Sequence, residues 1–385
     1  MTSSDALRVS LLLLGPIETM AEAQTPRWTV DTVPLMRLAA TADDGRPTFG
    51  SAAWAVRIGA DEIALADGAD RMIRIFGTDG KQRRALGREG RGPGEFLSVG
   101  WISTCGTDSL FAWDMISARL NVWHPTGGFV RSWTNTVVRG PMVALCSARR
   151  EFAFPVRIRR TQESKPVLNT ATTAGMRYRI WMDTFDLQIL DDSGQAVWSI
   201  GGAVRGESIS ANPPSGGLVS LPRLLGLATH VAFTGELLAF AYTDSGFVRI
   251  VRPNGATEKQ FRVGPFESTV STEARDAALT SLQRRTPASA VELFGMVSRA
   301  IPVPARAPGY YDLKGSPDGA LWFVVSPPGS RQTRLVVYRP DGSAVATLVI
   351  PVAIELFEVG MDHLLGRVES DDGEQEVRLY RFWRR

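Results

Sequence analysis

The sequence predicts an all-β chain built from one repeated unit, and three observations carry that expectation. The first is composition. The 385 residues are 44% hydrophobic and 22% charged, with 37 Gly and 10 Trp. That is too apolar for a disordered chain and too rich in glycine and tryptophan for a helical bundle. The second is a repeat: residues 61–80 (DEIALADGADRMIRIFGTDG), 108–127 (DSLFAWDMISARLNVWHPTG) and 236–255 (ELLAFAYTDSGFVRIVRPNG) align without gaps. In each, six residues lead from an acid (Asp61, Asp108, Glu236) to a strand-ending residue (Asp67, Asp114, Tyr242), nine more reach Phe76, Trp123 or Val251, and four more reach a turn glycine at 80, 127 or 255. The third is the pattern inside each copy, two short apolar strands with a loop between them and a glycine turn after them.

In chain order, the N-terminus comes first. Residues 1–23 read as a secretory signal: Arg8, the apolar run Val9–Leu14, Gly15-Pro16, and Ala21-Glu22-Ala23 as a small-x-small cleavage site. The run is too short to span a bilayer, so the expected location is periplasmic or secreted, without a transmembrane segment. Segment Trp28–Leu38 has strand composition but no complete repeat of its own. Looser copies of the repeat end at 185–194 and cover 320–342 and 362–380. Apolar segments precede the copies, at Ala53–Ile58, Gly100–Thr104, Met142–Leu145 and Val231–Thr234. Each unit is therefore a four-stranded antiparallel meander. Six meanders predict a six-bladed β-propeller, one domain over 24–385, with Trp28–Leu38 as the outer strand of the last blade closing the ring.

Gly87-Arg88-Glu89-Gly90-Arg91-Gly92-Pro93-Gly94-Glu95-Phe96, following Asp67…Ile73-Arg74-Ile75-Phe76…Asp79-Gly80, resembles the connector and strand pair of NHL-repeat six-bladed propellers. The likeness covers 61–127 well and 236–255 less closely. Asp70 and Ser117 stand where that family often has Asn, and Met72 replaces an Arg that Arg119 keeps. The resemblance implies the fold; such propellers serve as binding modules and as enzymes.

Three segments exceed the minimal blade: 157–182 in the strand 2–3 loop of blade three, the connector 201–226, and the connector 265–309. Blade geometry puts all three on one face. Within the last, about 268–304, two helices are expected. The first is capped by Thr272, with Ala274, Ala277, Ala278 and Leu282 apolar; the second runs from Pro287, with Val291, Phe294, Val297 and Ile301 inward. The blade-three insertion is read as a basic loop: Arg157, Arg159, Arg160, Lys165, Arg177 and Arg179 face only Glu163, with Tyr178 and Trp181 interleaved.

Chemistry is sparse. Two cysteines exclude a disulfide-rich scaffold and a Cys₄ zinc site. Cys105 and Cys146 hold equivalent inner-strand positions in adjacent blades, where a disulfide or two buried thiols would fit. The Gly-rich 87–94 lacks the strand, helix and Lys-Ser/Thr of a phosphate cradle. His124, His230 and His363 are read as single structural histidines, and Asp67 and Asp114 as loop caps rather than metal ligands. A net charge of +3 does not by itself imply nucleic acid.

The expected function is an exported binding module without catalysis and without a cofactor or metal. It would be a monomer that meets a protein or an anionic or polysaccharide ligand on the insertion face. The expected contacts are Arg159, Arg160, Arg177, Tyr178, Arg179 and Trp181, because guanidinium forks and aromatic platforms suit anions. The alternative is a metal-dependent, lactonase-like hydrolase or lyase in the central channel. It needs convergent Asp, Glu, Asn or His side chains, whereas the legible inner strands offer mostly Ala, Val, Ile, Ser and Thr. A third reading, a cytoplasmic propeller for proteins or RNA, holds if residues 1–23 are not a signal.

Overall fold

In the computed structural model the described residues are 26–41, 48–106, 108–135, 146–156, 166–173, 175–214, 216–264, 269–285 and 288–384. They form six antiparallel sheets in a β-propeller arrangement. The first holds Ala52–Ile58, Glu62–Asp67, Met72–Gly77 and Gln82–Leu86; the second holds Val99–Thr104, Leu110–Asp114, Arg119–Trp123 and Phe129–Thr134. The fourth holds Thr229–Thr234, Leu237–Tyr242, Phe247–Val251 and Thr257–Arg262; the fifth holds Asp312–Gly315, Leu321–Val324, Thr333–Tyr338 and Ala344–Ile350. In all four, strand order follows sequence order, as short alternating strands joined by tight turns require.

The sixth sheet shows how the two chain ends are tied. Glu355–Val359, His363–Glu369 and Gln375–Trp383 supply three strands. Thr29–Val30 and Met36–Ala39 then pair antiparallel with the last of them, Val30 opposite Phe382 and Met36 opposite Leu379. Met36 and Leu38 bury their side chains among Phe357, Leu365 and Leu379, so the outer strand is held by apolar contact as well as by its ladder.

Apolar clusters join each sheet to the next. Ile73 and Ile75 meet Ile102 and Leu110 between the first and second sheets, and Phe111 and Trp113 meet Phe152 and Phe154 between the second and third. Ile189 meets Phe240, Ile250 meets Phe323, and Trp322 meets Tyr380 across the following three gaps. Ala52, Ile63 and Phe76 of the first sheet meet Phe357 and Val377 of the sixth. Burial of both faces explains why the second strands (ALA, FAW, LAF) read as continuous apolar runs.

The third sheet differs from the loops expected for it. Phe152–Val156, Met176–Leu190 and Ala196–Asn212 form its body, and Pro166–Thr173 and Val219–Pro222 flank the far end of the long hairpin. Residues 176–181 and most of 201–222 are thus strand, because MRYRIW alternates apolar and polar with period two. The charges there occupy one face of a sheet. The expected inner segment Met142–Leu145 lies outside the described residues.

The helices form at Thr272–Arg285 (α1) and Ala288–Ala300 (α2). Ser271, not Thr272, caps α1: its Oγ accepts the Ala274 N–H at 3.1 Å, the third backbone donor of the helix. Ala274 and Ala278 are buried.

Candidate functional site

The two expansions pack on each other. Met176, Tyr178 and Ile180 on one face of the long hairpin share an apolar cluster with Ile209, Val219 and Leu221 and with Val297 and Ile301 at the end of α2. Arg223 locks the arrangement: it pairs with the buried Glu207 carboxylate at 3.1 Å and donates to the Pro302 carbonyl, just beyond α2. Strand alternation then turns Arg177, Arg179 and Trp181 to the opposite face. They line a groove of about 340 Å³ with Ser210, Asn212 and the exposed Leu218. The Arg179 guanidinium lies 5.0 Å over the Trp181 ring, and the Trp181 indole N–H donates to Ser210 Oγ at 3.2 Å. Of the six expected contacts, three share this groove face. Tyr178 lines the groove's edge but is only 6% exposed and packs in the cluster beneath. Arg159 and Arg160 lie outside the described residues.

A second, larger space runs along the axis. A cavity of about 600 Å³ is lined by residues of five sheets, all but the third, and by Cys146, Ser147 and Ala148 ahead of the third sheet's Phe152–Val156, from Trp54, Trp101 and Thr229 at one end to Gly106, Gly235 and Pro317 at the tight-turn end. Its chemistry is unequal around the ring. Sheets four, five and six contribute His230, Asp312, Lys314 and Glu358, whereas sheets one and two contribute mainly Trp54, Val56, Trp101 and Cys105, the last bridged to Cys146 with Cα atoms 6.0 Å apart. Asp312 and Lys314 are two apart on one strand and so face the same way; their charged atoms are 3.1 Å apart. Lys314 Nζ also lies 4.9 Å over the Trp54 ring.

The His230 ring packs beside the Tyr310 ring, at 5.7 Å between centroids. Burial pushes its pKa down; Asp312 pulls it back in part and Lys314 lowers it further. The imidazole is therefore neutral at pH 7, able to donate at one nitrogen and accept at the other. Glu358 accepts the Arg57 backbone N–H at 2.7 Å and faces His363 Nε2 at 3.8 Å.

This corrects the expectation that the inner strands carry little but small apolar and hydroxyl side chains. The two inner strands that carry Asp312, Lys314 and Glu358 follow the helical insertion and the fifth sheet, where the repeat is least regular. His230 lines the cavity, which a lone histidine at a strand start does not announce. Among the described residues, no three His, Cys, Asp or Glu side chains converge closely enough to hold a metal ion.

The repeated aspartates anchor loops. Asp67 Oδ1 accepts the N–H of Ser51, Ala69 and Asp70, and its Oδ2 accepts those of Gly50 and Arg74 Nε. Asp114 accepts from Leu97, Ile116 and Ser117, and Ser326, at the corresponding place in sheet five, from Arg334.

No family model and no curated protein matches the chain. Among solved structures, a DUF4221 family member from Bacteroides vulgatus aligns at TM-score 0.50 and 8% identity over 94% of this chain and 100% of that one. A protein of Bacteroides fragilis assigned as exported aligns at TM-score 0.48 and 9% identity, over 90% and 94%. Virginiamycin B lyase from Staphylococcus aureus aligns at 0.34 and 9%, over 92% and 94%. At such identities the likeness is one of fold. Among the described residues no helix is long and apolar enough to cross a membrane.

Proposed function

We propose that the six sheets are the blades of one closed ring of NHL-repeat type. In this reading the chain is exported after loss of residues 1–23, and it is a monomeric binding module without catalysis whose partner docks on the insertion face. One observation carries the docking surface. Two expansions distant in sequence share an apolar cluster and the Arg223–Glu207 ion pair, so the groove of Arg177, Arg179 and Trp181 sits on a supported sheet. Rigid presentation lowers the ordering cost of binding. Two arginines, an indole, an amide and a hydroxyl suit a polyanion with planar carboxylates and hydroxyl groups, such as an acidic polysaccharide.

The test is titration with oligogalacturonate, with neutral dextran oligomers as control. At about 0.7 kcal/mol per exposed guanidinium–carboxylate contact, Arg177→Ala with Arg179→Ala should weaken oligogalacturonate binding about tenfold and flatten its salt dependence. Equal binding of dextran, or an unchanged double variant, would remove this surface from consideration.

A further inference from the structure

We propose that the axial cavity is a second binding site, independent of the insertion face, for a small organic amine with an apolar body. At about 600 Å³ it lies within the range of small-molecule pockets, about 300–1,000 Å³. Its two arcs differ in kind. The apolar arc offers Trp54, Val56 and Trp101; Trp101 is 5% exposed, and its indole N–H is buried with no hydrogen-bond partner among the described residues. The ionic arc offers His230, Asp312, Lys314 and Glu358.

Accessibility decides the sign of the ligand. The Lys314 side chain is only 11% exposed, held between Asp312 and the Trp54 face. The carboxylates are more open, Asp312 at 32% and Glu358 at 23%. Asp312 spends one oxygen on Lys314 and the other on its neighbour's N–H, Leu313 at 2.8 Å, and each oxygen keeps a further lone pair. With His230 neutral, the charged side chains lining the arc are two carboxylates and one shielded ammonium; His363 Nε2, 3.8 Å behind Glu358, offsets part of that carboxylate's charge and leaves Asp312 the more open of the two. A cation is therefore attracted and an anion repelled. The acceptors are too dispersed for a metal ion, whereas an amine with a hydrocarbon or aromatic tail can reach a carboxylate from across the apolar arc. Trp101 adds an aromatic wall of the kind that favours cations and apolar bodies together.

The experiment is calorimetric titration of the chain with three probes of one shape and three charges: phenethylamine, 2-phenylethanol and 3-phenylpropanoate. Phenethylamine should bind at least about tenfold tighter than the other two, an amount set by one partly shielded charge contact. Glu358→Gln keeps an acceptor for the Arg57 N–H and should weaken phenethylamine several-fold. Lys314→Met should strengthen it. Arg177→Ala with Arg179→Ala should leave it unchanged, which separates this site from the insertion face. The probe series on the unaltered chain needs no variant to fold. The proposal is overturned if 3-phenylpropanoate binds as well as phenethylamine, if phenethylamine gives no heat at millimolar concentration, or if it binds and neither cavity variant alters its affinity.

Discussion

Asp67→Asn is nearly isosteric, yet the geometry makes it severe. In either orientation of the new amide, its NH₂ group replaces an oxygen that accepts at least two N–H donors. Placed at Oδ2 it faces Gly50 and Arg74; placed at Oδ1 it faces Ser51, Ala69 and Asp70. The less costly orientation still loses two bonds to an ionised acceptor, each worth about 1.5–3 kcal/mol, inside a site that is 0% exposed. The expected loss is about 3–5 kcal/mol, measured by urea unfolding with tryptophan fluorescence. Asp70→Asn is the control. Asp70 pairs with the same Arg74 from an exposed position, and such a pair contributes about 0–1 kcal/mol. The pH dependence supplies a second check. Burial opposes ionisation of Asp67, but its backbone donors and Arg74 together outweigh it and hold the carboxyl below the usual range. Its contribution is therefore full above the unfolded pKa of about 3.9 and is lost as pH falls through the folded value. The gap between wild type and Asp67→Asn should be constant from neutral to mildly acidic pH and close only below that. A gap under about 1 kcal/mol at neutral pH would refute the anchoring role.

Cys105→Ser with Cys146→Ser opens a bridge across 41 residues of sequence and should cost about 2–4 kcal/mol; thiol titration of the unreduced, denatured chain should find no free cysteine. Gly315→Ala would place a Cβ against the Phe233 carbonyl oxygen of the neighbouring inner strand. That collision is with backbone, so loss of soluble protein or a Tm lower by many degrees is expected, read by thermal unfolding. Arg223→Met leaves the Glu207 carboxylate, 3% exposed, without its guanidinium. It should cost about 3–5 kcal/mol and speed proteolysis within α1 and α2, because the same guanidinium holds the Pro302 carbonyl.

Sheets one, two and four were legible because each states its own boundaries. The acid, strand-end and glycine spacings of 61–80, 108–127 and 236–255 are local signals and survive in the observed strands. The pairing of the N-terminal segment with Gln375–Trp383 followed from a different kind of reasoning, a last blade one strand short and a strand without a blade. The third sheet is less legible because its charge points to loop while its periodicity points to strand. Arg177 and Arg179 made 157–182 look like solvated loop, although Met176, Tyr178 and Ile180 between them already alternated.

The axial site was hidden for a reason that lies in the fold. His230, Asp312 and Glu358 sit on three different sheets, and in sequence each belongs to a short inner strand that carries no recognisable motif. Motif reasoning finds chemistry when ligands share a helix turn or a loop, where spacing is a distance. In a ring of meanders the corresponding rule is register. Inner-strand residues at one height become neighbours whatever their separation in the chain, and the height is set by hairpin lengths. Those lengths are regular in 61–80, 108–127 and 236–255 and irregular in the fifth and sixth sheets, where the loop after Val324 runs to Thr333 and the sixth inner strand carries a bulge at Leu356–Glu358. Polar residues on inner strands should therefore be compared by register across all sheets once the ring order is known, because an isolated Asp-x-Lys such as 312–314 has no meaning until the strands beside it are identified.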